Sequence, residues 1–557
     1  MSKAAIGMAL LLVLTAALTV YPLAIILYGS FNSSVPGSGN GFTLDGYREA
    51  FGDVAIVKAL WTTIWLGAAR TVLSAGLAVF FCWIIVRTDT PFKGFLEFFF
   101  WVNFFLPHLP IVISWILLLD PTFGLLNGVL RRLSVDVGFN IYSYGGIIWA
   151  HLAFSVSTKV LLLTPAFRNM DAALEEASAA SGSSQLGTLV RITLPVLAPA
   201  VLGITLLTFI RSLESFETEF LLGAPAKIHV YSTKVYDLLR WEPPRYPPAM
   251  ALSSVFMLSV FIVVLIYRWA ISGREYTTVT GRGYKATTIK LGKWKYVTLS
   301  VSLIYLAIFT FLPLCVLVLG TFMRIAGMFT LRNPYTLNHW RDVLADPVFL
   351  ESVRNSIYLA GGAAVIGMLF YSLVSYVITR TRMGGRRILE LMTWLPWGVP
   401  GVLLALGILW AVLGTFEFLV ILYGTPFLLM IAILIKELPV GARTMDGALV
   451  QIHKELEESA RVAGDDWLGT FRRIIVPLLS PALLAVGVIV FLTAMKEIST
   501  IILLYSADTR VLSVLMLEHY IGHSPEKAMV VGTIITALVM VTAVAARRIG
   551  LRIGTRD

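Results

Sequence analysis

Runs of about 20 consecutive apolar residues recur along the whole chain, and no other feature restricts its fold as much. A helix in a soluble core needs apolar residues on one face only. A segment apolar all round, and long enough at about 1.5 Å per residue to cross about 30 Å of hydrocarbon, belongs in a bilayer. About twelve such segments are legible: 5–30, 59–86, 95–119, 144–167, 196–214, 248–270, 297–322, 353–379, 389–413, 417–438, 479–495 and 528–546. Backbone polar groups facing lipid must be paired inside their own segment, so each run is predicted to be a helix. Composition agrees: 57% of residues are hydrophobic and only 14% charged, against roughly 25% charged in soluble domains. The first run follows Ser2-Lys3 as in a signal peptide, but it exceeds an apolar h-region of about 7–15 residues, so a retained helix is expected.

The net charge of +11 does not point to nucleic acid, because no basic patch is interleaved with aromatics on a soluble surface. The basic residues collect in a few short segments. Arg380, Arg382, Arg386 and Arg387 share one loop, Arg274, Arg282, Lys285, Lys290, Lys293 and Lys295 another, and Arg547, Arg548, Arg552 and Arg556 the tail. With an even helix count all three lie on one side, which the positive-inside rule makes cytoplasmic along with both termini. Cys82 and Cys315 stand inside apolar runs and read as small core residues rather than a disulfide or metal site.

The chain repeats itself. Thr43-Leu44 with Tyr47-Arg48 returns as Thr336-Leu337 with Trp340-Arg341, and Arg87-Thr88 returns as Arg380-Thr381, both at a shift of 293 (43 to 336, 87 to 380). A polar stretch between two apolar runs, Leu174 to Ala200, returns as Leu456 to Ala482 at a shift of 282 (174 to 456). There Glu175, Glu176, Gly182, Gly187, Thr188, Arg191, Ile192, Pro195, Pro199 and Ala200 are matched by Glu457, Glu458, Gly464, Gly469, Thr470, Arg473, Ile474, Pro477, Pro481 and Ala482. Apolar composition cannot place that many polar and turn residues in register. The predicted organisation is a first half over 1–270, a cytoplasmic linker over 271–295 and a second half over 296–557. Six helices separate the copies, so both polar stretches face the same side. In each, two carboxylates open a short helix, where they complement its N-terminus, and Gly182 or Gly464 stops it. Leu174, Ala177, Ala180 and Ser181 fall on one face at helical spacing. A matched pair of small helical knobs suits a two-fold partner.

These residues carry a resemblance. Glu176-Ala177-Ser178, Gly182 and Ile192-Thr193-Leu194-Pro195 resemble the EAA signature of the inner-membrane permeases of binding-protein-dependent ABC importers, written EAA, three residues, G, nine residues, I-x-L-P. The second copy, Glu458-Ser459-Ala460, Gly464 and Ile474-Ile475-Val476-Pro477, differs by small or apolar exchanges. The resemblance implies two tandem six-helix halves of the type I importer fold. It implies that the loops 174–195 and 456–477 dock as coupling helices in clefts of two ABC ATPase subunits, through Glu175, Glu176, Ala177, Gly182, Glu457, Glu458, Ser459 and Gly464. No G-x-x-x-x-G-K-[ST] phosphate loop occurs; around Gly292-Lys293, Thr287 and Trp294 stand where Gly and Ser or Thr belong. ATP and Mg are therefore expected on the partner ATPase, no cofactor in this chain, and no enzymatic activity of its own. A periplasmic or lipid-anchored substrate-binding protein is the further partner that the resemblance implies, besides membrane lipid, with the bacterial inner membrane as location.

The rival class is a secondary transporter of major facilitator type, which also has two parallel six-helix halves. It needs intramembrane ionisable groups, for which Lys159, Lys436, Glu437 and His151 are candidates; they are expected to lie near helix ends and snorkel. The resemblance makes the helix after each EAA loop line the pathway. At their outer ends Glu214 corresponds to Lys496 and Ser215 to Glu497, with Glu217 and Glu219 in the first half only. Such an acidic mouth would attract a cation or metal chelate, although no His/Cys cluster accompanies it. Fusion of the halves, Ala494-Met495-Lys496-Glu497 and Thr509–Val514 are similar to ferric-iron importer permeases; thiamine, aminoethylphosphonate and polyamines are the alternative cargoes. The segments Gly41–Asp53, Ala224–Pro248 and Met328–Asp346, with Tyr231, Tyr236, Trp241 and Trp340, are the expected docking surfaces for the binding protein.

Overall fold

The computed structural model describes residues 3–32, 41–135, 138–171, 173–272, 288–328, 331–414 and 416–548. Most of the anticipated linker, 273–287, and the basic tail from 549 lie outside the described residues. The first half runs through α1 (Lys3–Ser30), α2 (Val54–Arg87), α3 (Lys93–Phe105), α4 (His108–Leu119), α5 (Tyr144–Asn169), α6 (Ala173–Ala180), α7 (Leu189–Leu213), α8 (Glu217–Gly223), α9 (Tyr231–Arg240) and α10 (Tyr246–Ser272). The second runs through α11 (Trp294–Phe322), α12 (Pro347–Arg380), α13 (Arg386–Gly398), α14 (Gly401–Leu413), α15 (Pro426–Gln451), α16 (Glu455–Val462), α17 (Phe471–Lys496), α18 (Leu512–Ile521) and α19 (Pro525–Arg548). Among the described residues every regular element is helical.

The repeat reaches down to caps and breaks. Asp53 accepts a hydrogen bond from Ala55 N and starts α2, and Asp346 accepts one from Val348 N and starts α12, each satisfying an otherwise orphan helix N–H. Residues 95–119 and 389–413, expected as single spans, are bent pairs: α3 and α4 meet at 99°, α13 and α14 at 116°. Pro107 and Pro400, at the same 293-residue shift, stand at the two breaks; each lacks the N–H that would continue the ladder and disfavours helix in the residue before it. A π turn, Leu189–Thr193 or Phe471–Ile475, opens α7 and α17 just before Leu194-Pro195 and Val476-Pro477. The wider turn keeps the proline ring clear of the carbonyl four residues back.

Among the described residues nine helices are long and apolar enough to cross a membrane, and counting each bent pair as one span brings the number to eleven. Helix α15 lies where a span was expected at 417–438, but it is not one of these candidate spans. Its apolar run is interrupted by Lys436, Glu437 and Arg443, and Glu417–Leu422 is only a short 3-10 turn before it. Within each half α2 packs on α5 and α7, and α12 on α15 and α17. Between halves the packing is reciprocal: α1 lies against α14 of the second half, and α11 against α4 of the first. Large apolar side chains such as Leu10, Trp61, Leu202, Leu369 and Val541 stand exposed around the bundle, a surface suited to lipid rather than water.

Candidate functional site: two matched loops and a buried charge cluster

The two loops adopt one geometry. Helix α6 ends at Gly182 (φ +80°) and α16 at Gly464 (φ +88°), left-handed positions that glycine reaches without a Cβ penalty. Ser183 N bonds Ser178 O at 3.1 Å and Asp465 N bonds Ala460 O at 3.0 Å, the six-residue closure of a Schellman cap. A second short helix follows, opened by Ser184 Oγ accepting from Gly187 N and Asp466 Oδ1 accepting from Gly469 N.

An ion pair fastens each loop to the membrane bundle. Arg87, at the end of α2 and fully buried, places Nε 3.1 Å from Glu175 Oε2, and Thr193 donates to Glu175 Oε1 at 2.6 Å. In the second loop Arg380 Nε lies 3.5 Å from Glu457 Oε1, and Tyr376 donates to Glu457 Oε2 at 2.9 Å. The same arginines hold the loop entry: Arg87 donates to Met170 O at 3.1 Å, and Arg380 to Leu449 O and Ile452 O. Glu175 and Glu457 thus do not belong to the outward face assigned to them; one helical step of about 100° from Glu176 and Glu458 turns them inward. Glu176, Ala177, Gly182, Glu458, Ser459 and Gly464 are exposed as expected. So is the small apolar stripe: Leu174 (47%), Ala177, Ala180 and Ser181 in the first loop, Leu456 (44%), Ser459, Val462 (90%) and Ala463 in the second.

The acidic mouth is corrected more deeply. Glu219 is buried, with Oε1 2.6 Å from Arg70 Nη1 and 3.0 Å from His151 Nε2, and Ser215 donates to its other oxygen. Glu497 is buried against Lys436 Nζ at 2.7 Å and accepts from Ser499, Thr500 Oγ1 and Thr500 N at 2.7, 2.9 and 2.9 Å. These two carboxylates are neutralised inside the protein, where desolvation demands a partner, so they do not form part of an exposed acidic mouth. Glu214 and Glu217 are half-buried and lie within electrostatic reach of Lys436 on the other half. Lys496 Nζ also crosses between halves, to Phe105 O at 3.5 Å, where α3 breaks. Among the described residues no group of three His, Cys, Asp or Glu is placed to hold a metal ion.

Snorkelling is overturned too. Lys159 is 1% exposed in the middle of α5 and donates to Ser74 Oγ at 2.8 Å; His151 and Glu437 are likewise interior, and Lys436 is half-buried against Glu497. Of the expected docking aromatics, Tyr231 and Tyr236 are buried in α9, whereas Trp241 remains exposed. Sequence reasoning missed Arg87, Arg380 and Tyr376 as anchors, although the Arg-Thr repeat at 87 and 380 had marked the two arginines.

Comparison with known proteins meets this geometry in the second half. Residues 381–553, which include the second loop, match the family described as binding-protein-dependent transport system inner membrane component. The chain is 29% identical over 406 residues to the ferric transport system permease protein FbpB of Actinobacillus pleuropneumoniae, covering 72% of this chain and 58% of that protein. It is 30% identical over 392 residues to the putative ferric transport system permease protein FbpB 1 of Haemophilus influenzae, covering 69% and 60%. The probable ABC transporter permease protein y4fN of Sinorhizobium fredii is 26% identical over 526 residues, covering 91% of this chain and 90% of the relative. The chain spans about three fifths of the length of the two ferric relatives. The second half's outward loop and its buried Arg380–Glu457 pair have counterparts in the first half.

Proposed function

We propose that this chain is the membrane-spanning permease of an ATP-driven importer, with both loops on the cytoplasmic side and each seated on one of two separate ATPase subunits. One observation carries the reading: two loops of one geometry, each presenting a small apolar stripe outward and each tied by a buried Arg–Glu pair to the end of a 34-residue helix. A contact that only packed on its own bundle would turn that stripe inward. ATP and Mg belong to the ATPase, since the sequence lacks a phosphate loop, and the chain itself catalyses nothing. Residues 1–270 and 296–557 act as the two permease halves and 271–295 as their linker, with both chain termini in the cytoplasm of a bacterium. A periplasmic or lipid-anchored binding protein delivers the cargo to the opposite face, where Trp241 is exposed.

Ferric iron is the cargo we favour, because two relatives of about 30% identity are named as ferric transport system permeases; thiamine, aminoethylphosphonate and polyamines are the alternatives. Glu214, Ser215, Glu217, Glu219, Lys496 and Glu497 border the path between the halves. The carboxylates of Glu219 and Glu497 are matched by cations and by hydroxyl donors, so the cargo is not captured by them. Co-expression with the neighbouring ATPase and uptake of labelled ferric iron tests this. Uptake that needs both the ATPase and ATP is expected; accumulation of another cargo in place of iron would reassign the substrate without touching the coupling reading.

A further inference from the structure

The two loops match in fold but not in surroundings. A segment ahead of α11, Thr288–Leu291, runs across the end of α2: Ile289 N bonds Arg87 O at 2.8 Å, Asp89 N bonds Ile289 O at 3.0 Å, and Thr88 and Ile289 form a parallel bridge. Leu291 N donates to Asp89 Oδ1 at 2.8 Å, and Leu291 itself is buried. The segment also reaches the first loop, where Gln185 Nε2 donates to Lys290 O at 2.9 Å. It thereby straps the loop to the ledge that bears its anchor, Arg87.

The strap is part of the same outer surface. Thr288 and Lys290 are exposed, and with Ile289 they line one side of a cavity of about 260 Å³ whose other side is formed by Glu176, Ser183 and Gln185 of the loop. In the second half Arg382 stands where Asp89 stands in the first, so the acceptor that fixes the strap is missing. Among the described residues no segment crosses that ledge; it borders an open depression of about 400 Å³ lined by residues 382–388.

We infer that the first ATPase dock is composite, made of loop 174–195 together with the strap Thr288–Leu291, whereas in the second no described segment joins loop 456–477. The inference rests on the docking reading above. Any protein seated against Glu176 and Gln185 must also meet Lys290, because all three border one cavity. Two identical ATPase subunits therefore face unequal surfaces, since Lys290 of the strap borders the cavity at the first loop.

The test places a photo-crosslinking amino acid singly at Lys290, Leu174 and Leu456 in the assembled permease–ATPase complex. Crosslinks to the ATPase from all three, with Lys290 and Leu174 reaching the same ATPase segment, are expected. Crosslinks from Leu174 and Leu456 but none from Lys290 overturn the composite dock and leave the docking reading intact; none from any of them overturns the docking reading itself. Hydrogen exchange on Asp89→Ala supplies the second measurement. Loss of one strap bond should speed exchange about fivefold at Leu291 and around Gln185 and leave 456–470 unchanged. Unchanged exchange around Gln185 overturns the strap.

Discussion

Replacing Glu175 by Ala removes one partner of a pair that has no access to water. Arg87 is fully buried and Glu175 is 5% exposed, with 3.1 Å between Nε and Oε2 and a further 2.6 Å bond from Thr193. An uncompensated buried charge costs about 3–5 kcal/mol. The protein can avoid that cost by letting the loop come away so that Arg87 is hydrated, so the docked-to-released ratio of 173–188 should fall by roughly 10² to 4 × 10³. Hydrogen exchange of this segment reads the ratio directly, and the second loop serves as an internal control. Coupling should fail with it: ATP hydrolysis persists while uptake drops. The double change Arg87→Met with Glu175→Leu separates anchoring from direct contact with the ATPase. It replaces the pair by apolar groups of similar size, which is close to neutral for buried pairs, and forfeits the bond to Met170 O and the bond from Thr193, about 1 kcal/mol each. An anchoring role predicts that the double variant regains loop protection and uptake. A Glu175→Ala variant with wild-type exchange and coupling, or a double variant as uncoupled as the single one, would refute the reasoning.

Gly182→Val and Gly464→Val meet open space but force a β-branched residue to φ near +80° and +88°, at about 1–3 kcal/mol each; uptake per ATP hydrolysed should fall in both, and less in the Asn variants, which tolerate that region. Lys436→Met strands Glu497 in the interior and should lower the melting temperature in detergent by an amount equivalent to about 3–5 kcal/mol, whereas Lys227→Met, on an exposed turn, should leave it unchanged. Glu214→Gln with Glu217→Gln should reduce uptake while the ATPase still co-purifies; unaltered uptake removes both residues from the path.

How far the sequence reveals this molecule depends on what its signals can measure. Length and apolarity locate the spans but are blind to direction, so Pro107 and Pro400 passed inside continuous runs that the structure bends by 99° and 116°. The same measure misplaced α15, whose charges interrupt an otherwise apolar run. The loops were legible because the glycines, prolines and carboxylates recur in register. Two adjacent carboxylates are indistinguishable by type, however, and only the helical phase separates Glu175, which faces Arg87, from Glu176, which faces out. The charge cluster was the least legible part. Arg70 meets Glu219 across 149 positions and Lys436 meets Glu497 across 61, and no local pattern announces such partners. A lysine in an apolar run can snorkel or be buried with equal economy of sequence; Ser74, far away on α2, decides it for Lys159.

The most direct measurement is transport by the purified chain in proteoliposomes, with and without its ATPase. Uptake that appears only when ATPase and ATP are both present, and that is abolished when both Gly182 and Gly464 are replaced by Val, is the predicted result. Uptake driven by an ion gradient in the absence of the ATPase would contradict the account.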